Sequence, residues 1–152
     1  MQAKDLRSQP PRRWNVRVDG IPWLPRLIDK ARAAVAGTLG SYLFGQSPMD
    51  RSCLRQFRIS HREFARIAAQ NESDEAVLAA LVARDPESRA RIQKWTNGFE
   101  RRHGWFLFVL DVDDGYLGGM WRVVKRIVTP GADALTWTIK RIWPWEFAER
   151  SK

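Results

Sequence analysis

The chain has 152 residues, 44% of them hydrophobic and 28% charged, a mixture that fits one globular domain with a proper core and excludes a disordered chain. One cysteine, Cys53, excludes an internal disulfide, and neither a signal-peptide core in MQAKDLRSQPPRRW nor an 18-residue apolar run exists, so a cytoplasmic protein is expected. The formal charge of +9 favours contact with an acidic partner, nucleic acid or anionic lipid without choosing among them.

Residues 1–22 contain Pro10, Pro11 and Pro22 and a short alternation at Trp14, Val16 and Val18. They read as an extended arm, docked through its apolar side chains and holding at most a brief strand. Residues 1–26 carry six Lys/Arg against two Asp, so this end is basic.

Helical periodicity follows. Leu24, Leu27, Ile28, Ala31, Val35, Leu39 and Tyr42 fall three and four apart, which predicts one long helix. Asp29, Ala33, Ala36, Gly37 and Gly40 form a neighbouring stripe on which another backbone can approach closely. SPMD predicts the next helix start, with Ser47 as cap, Pro48 in the first turn and Asp50 completing a capping box. SHRE repeats the pattern with Ser60 and Glu63. SDEAVLAAL offers Ser73 with acids in the first turn, where they suit the helix dipole. DPES predicts a further helix from Asp85 and Pro86 that carries Ile92, Trp95 and Phe99 on one face. Residues 72–87 hold five acids and only Arg84, an acidic middle between basic ends.

The stretch KDLRSQPPRRWNVRVDGIPWLPRLIDKARAAVAGTLGSYLFGQSPMD, with LPRLIDKARA, the later glycine and PMD as its most specific parts, resembles a bacterial domain-of-unknown-function family, number 5069. The likeness continues through FRISHREF, SDEAVLAAL and RIQKWTNGF and covers roughly residues 4–117. It implies a small helical intracellular protein and supplies no activity, cofactor or accepted active site. Family members usually carry a cysteine just before the PLD-like turn; Ser47 stands there in this chain, which puts a thiol role at that position in doubt.

The segment FLFVLDVDDGYLGG looks like the opening of haloacid-dehalogenase-like phosphatases, whose D-x-D pair supplies a nucleophile and a general acid. That chemistry requires the end of the first strand of a parallel sheet. No alternation of strands and helices precedes residue 106, and Gly115 stands where Thr or Val is usual. A helix end or short strand followed by an acidic turn is expected instead. A calcium loop fails too, because Gly115 occupies a ligand position and Arg122 the twelfth. Glu100 and His103 have the E-x-x-H spacing of di-iron bundles but lack the second pair. Cys53, His61 and His103 show no local nucleophile signature, and no phosphate-binding glycine loop exists. No catalytic residue, metal site or cofactor is assigned.

In PRLIDKARA, Arg26, Asp29 and Arg32 are three apart, so one carboxylate can bridge two guanidinium groups as a structural charge network. If a pocket opens there instead, Arg26, Lys30, Arg32 and Tyr42 become an anion-binding set. Residues 119–152 follow a Gly-Gly break. Met120, Val123, Val124 and Ile127 share one side of a first helix, with Arg122, Lys125 and Arg126 opposite. Leu135, Ile139 and Ile142 do likewise on a second, with Lys140 and Arg141 outward. Residues 116–152 hold seven Lys/Arg against three acids.

The expected fold is therefore all-α: a compact multi-helix single domain with an extended N-terminal arm, residues 1–118, and a C-terminal amphipathic helical hairpin, residues 119–152, packed on it. The expected role is a non-catalytic interaction module with a basic surface. Its candidate surface is Trp121, Lys125, Arg126, Trp137, Lys140, Arg141, Trp143 and Trp145, facing an acidic protein partner or a second copy in preference to nucleic acid or membrane. The alternatives are an enzyme or small-anion binder using Arg26, Asp29, Lys30 and Arg32, and peripheral membrane association through the basic tail.

Overall fold

The computed structural model describes residues 3–116. Among them lie two short strands and six helices: β1 (Arg17–Val18), β2 (Ile21–Pro22), α1 (Leu24–Val35), α2 (Pro48–Gln56), α3 (His61–Gln70), α4 (Asp74–Arg84), α5 (Ser88–Thr96) and α6 (Phe99–Asp113). The chain divides into two compact units, residues 1–102 and 103–152. The mainly helical architecture is as expected, with a two-strand hairpin added to it. The expected C-terminal hairpin, residues 119–152, lies outside the described residues.

The arm is docked. Leu6 is buried, its amide donates to Thr38 O at 2.9 Å, and Thr38 Oγ1 donates to Lys4 O at 3.2 Å. β1 and β2 pair antiparallel, with Val18 opposite Ile21. Asp19 and Gly20 between them both have positive φ (49° and 76°), which a tight type I′ hairpin turn requires. The chain then enters α1 through Trp23, whose φ of 67° is rare for a bulky residue.

α1 is the centre of the first unit and packs chiefly on α3. Leu24, Leu27, Ile28 and Ala31 are fully buried, as are Phe64 and Ala68 of α3. Here the long-helix expectation is corrected. α1 stops at Val35, and Leu39 and Tyr42 lie beyond it. Gly37 (φ 70°) donates to Ala34 O at 3.3 Å and Thr38 to Ala33 O at 2.8 Å, the paired bonds of a Schellman cap. Gly37 therefore ends the helix rather than lining a packing stripe. Gly40 does sit under a close approach: a Cβ there would stand 3.1 Å from Leu6 O and 3.2 Å from Arg7 Cα.

Three serine caps form as the sequence implies. Ser47, Ser60 and Ser73 side chains accept from the amides of Asp50, Glu63 and Ala76 at 3.1, 3.2 and 3.0 Å. DPES behaves differently. Asp85 and Pro86 form a turn, the helix begins at Ser88, and Glu87 gives no side-chain cap. Nor do Trp95 and Phe99 share one helix, because Asn97 is extended and Gly98 (φ 72°) breaks the chain before α6. Their rings still meet, with centroids 4.8 Å apart.

α6 answers the phosphatase question. Asp111 and Asp113 lie in its last turn, inside a helix and not at the end of a strand. Gly115 (φ 79°) donates to Val112 O at 3.2 Å and Tyr116 to Asp111 O at 2.9 Å, a second Schellman cap. The acid-glycine pattern is a helix stop.

Candidate functional site

Four charged side chains of α1 (Arg26, Asp29, Lys30 and Arg32) are buried. Ions held away from water need charged or hydrogen-bonding partners, since desolvation costs several kcal/mol each. The fold supplies them from three directions.

The arm supplies Arg12. Its amide donates to Asp29 Oδ2 at 2.8 Å, its Nε lies 3.1 and 3.0 Å from Oδ1 and Oδ2, and its Nη2 is 2.8 Å from Oδ1. The same guanidinium reaches Asp74 through Nη1 and, at 3.1 Å, through Nη2, and donates to Pro25 O at 3.0 Å. Burial alone would lower the Arg12 pKa, but hydrogen bonds to Asp74 and Asp29 hold it above its ordinary value. Arg32 Nη1 lies 3.5 Å from Asp74 Oδ1. Arg32 also donates to Ala68 O (3.0 Å), Asn71 O (2.8 Å) and Glu72 O (3.1 Å), covering the open carbonyls where α3 ends. Asp74 itself opens α4, where a carboxylate suits the helix dipole.

The second cluster is deeper. Lys30 Nζ sits 2.5 and 2.6 Å from the two oxygens of Asp50 and 3.1 Å from Leu43 O. Asp50 also accepts from Trp23 Nε1 and from the Gly45 amide, both at 3.0 Å. Asp50, expected to complete a capping box, only donates its amide to Ser47 Oγ, while its carboxylate turns inward to Lys30. Gly45 approaches so closely that a Cβ there would stand 2.3 Å from the Cβ of His61. Cys53 is fully buried beside this cluster, and its thiol is pushed far up, by burial first and then by the Asp50 charge. It holds its proton and makes a poor nucleophile.

Arg26 joins the clusters. Its guanidinium lies over the rings of Trp23 (5.4 Å) and Tyr42 (5.8 Å) and donates to Arg12 O at 3.3 Å. The anion-binding candidates are thus divided: Arg26 and Tyr42 touch, Lys30 turns to Asp50, and Arg32 turns to Asp74 and the end of α3. Asp29 of the expected charge network is buried as a partner of Arg12. A shallow groove elsewhere is lined by Asp19, Glu75, Leu78, Ala79, Val82, Ala83 and Arg89, and none of the α1 candidates reaches it.

Of the other candidates, Glu100 pairs with Arg17 at 2.7 Å. Among the described residues, no group of three metal-ligating side chains comes together and no helix is long and apolar enough to cross a membrane. Trp121, Lys125, Arg126, Trp137, Lys140, Arg141, Trp143 and Trp145 lie outside the described residues.

The residues most engaged in the site, Arg12, Trp23, Asp50 and Asp74, are absent from the candidates named by sequence. A buried lysine at Lys30 demands an acid, and the inward position of Asp50 in α2 was a usable signal for it.

A model of one protein family matches residues 8–106, and its description is "Domain of unknown function (DUF5069)". The chain belongs to this family. The matched DUF5069 region contains every residue of both charge clusters and ends within α6, so the rest of the chain lies outside the domain. The match is narrower than the 4–117 expected from sequence. No curated protein matches the chain.

Proposed function

We propose that this DUF5069 protein is a non-catalytic cytoplasmic interaction module that presents a basic surface to an acidic protein partner. One observation supports the reading above the others: the buried α1 charges are engaged inside the protein, Asp29 by Arg12 and Lys30 by Asp50. An anion entering there would have to displace carboxylates already held at hydrogen-bond distance in a desolvated setting, a poor exchange. The +9 charge then acts at the surface, where it speeds encounter with an acidic molecule.

Fluorescence anisotropy with labelled polyglutamate tests this. Full-length protein should bind, binding should weaken with salt, and Glu at Lys125, Arg126, Lys140 and Arg141 together should abolish it. Absence of binding at low salt, or saturable phosphate binding lost on changing Arg26, would overturn the reading in favour of a small-anion site.

A further inference from the structure

Five of the sixteen residues from 51 to 66 are arginines, and the single acid among them, Glu63, accepts from Arg84 Nε at 2.9 Å. Arg55 on α2, Arg58 at the corner between the helices and Arg66 on α3 are exposed. Among the described residues their guanidinium groups have no carboxylate partner. A run of charge is usually a solvated face, and Arg58 sets this one apart. Its φ of 48° lies in the left-handed region, at the position just past the end of α2. There Arg58 donates to Arg55 O at 3.2 Å and Ile59 to Leu54 O at 3.4 Å, the paired bonds of a Schellman cap. Glycine takes this position without strain, and arginine does not.

The strain is held from outside. Three successive carbonyls, Gln56, Phe57 and Arg58, accept from Arg91 Nε (2.9 Å), Arg84 Nη1 (3.3 Å) and Arg84 Nη2 (3.3 Å). The corner is thus fixed through its backbone, while the side chain that causes the strain points to no acid of the described fold. A strained residue without an internal role directs attention to an external one.

We infer that this corner, through Arg55, Arg58 and Arg66, is the docking face for a carboxylate-rich segment of another protein. The inference rests on the reading above that the partner is an acidic protein, and it places the docking point within the DUF5069 domain. Guanidinium forks pair with carboxylates through two parallel bonds, and a corner already fixed needs little ordering on binding. Phosphates suit the same forks, but single-stranded nucleic acid also needs rings on which its bases stack. The two phenylalanines of this stretch, Phe57 and Phe64, are fully buried.

The test uses the full chain, labelled polyglutamate at low salt and thermal unfolding. Arg58→Gly should raise the melting temperature by about 2 °C, because glycine relieves the corner, and yet weaken binding about threefold. Arg55→Ala, Arg58→Gly and Arg66→Ala together should weaken it by about tenfold or more, whereas Lys94→Ala with Arg101→Ala, exposed cations elsewhere, should change it by less than about twofold. A melting temperature lowered by Arg58→Gly would make Arg58 a structural residue and overturn the inference. Native affinity in the triple variant would overturn it as well; loss of binding in the Lys125, Arg126, Lys140 and Arg141 variant alone would then place the acidic partner elsewhere. No binding by the native chain would remove both readings. A DNA duplex or single strand bound more tightly than polyglutamate through the same arginines would make nucleic acid the occupant, and the acidic segment would be excluded.

Discussion

Lys30 and Asp50 form an ion pair in which the lysine is 3% exposed and the aspartate not exposed at all. A pair so placed is a poor source of net stability, yet breaking it is severe, because the survivor is a charge without water. Asp50→Ala should lower unfolding free energy by about 3–5 kcal/mol in urea titration. Lys30→Met with Asp50→Asn should cost less than the sum of its single variants, because neither member is left as an unpaired buried charge, and the amide oxygen still accepts from Trp23 Nε1 and the Gly45 amide. Additive losses would show that the two side chains do not interact as described.

Arg12 joins Asp29 and Asp74, two carboxylates with side chains 8% and 9% exposed. Arg12→Ala should therefore cost more than a surface arginine, about 2–4 kcal/mol, and Arg12→Lys should rescue only part of it, because an ammonium cannot repeat the fork that reaches both acids. Thermal unfolding of the two variants beside Arg66→Ala, an exposed helix position, provides the check. Equal melting temperatures for Arg12→Ala and Arg66→Ala would refute the tie.

Gly45 has positive φ and faces His61 at a distance no Cβ tolerates. Gly45→Ala should destabilise by more than about 2 kcal/mol, combining backbone strain with overpacking. Changing His61 to Gly in that background should recover the steric part and leave about 1 kcal/mol of backbone strain. Gly115→Ala isolates the backbone effect, since nothing lies within 4 Å of its would-be Cβ; it should cost about 1 kcal/mol, and Gly115→Asn less.

The Cys53 thiol has its folded-state pKa raised, so the folded chain keeps this proton more tightly than the unfolded one. The contribution to stability is whole below the ordinary thiol value of 9.0 and falls as pH rises past it, because the unfolded chain alone gains the thiolate. Unfolding free energy of the native protein should drop between pH 8.5 and 10 more steeply than that of Cys53→Ala. Native Cys53 should also resist iodoacetamide at pH 8.5 until urea opens the fold. Rapid native labelling would contradict its burial.

What the sequence disclosed follows from how local each feature is. The caps at Ser47, Ser60 and Ser73 were legible because each is made within three residues. The hairpin turn at Asp19–Gly20 is equally local; Asp-Gly between Val18 and Ile21 is a strong turn signal, but strands only two residues long leave little alternation on either side of it. The end of α1 was obscured by Leu39 and Tyr42, which continue the helical spacing after Gly37 has already turned the chain. The charge site was half legible. Buried charges on α1 announce a need for partners, but nothing in the spacing of Arg26, Asp29 and Arg32 points to Arg12, 17 residues before Asp29, or to Asp74, 62 residues after Arg12.

That separation has a consequence during synthesis. Arg12 is made early and Asp74 follows 62 residues later, about 3–12 s at translation rates of 5–20 residues per second. Throughout that interval the arm has only part of its partner set, and α1 carries a carboxylate-facing side that cannot close. A nascent chain halted anywhere before α4 would thus hold an unfinished interior, open to chaperones and proteases. The tie from Arg12 to Asp74 closes only once α4 has left the ribosome, with the core residues of α5 and α6 still to come, and the first residues translated settle late.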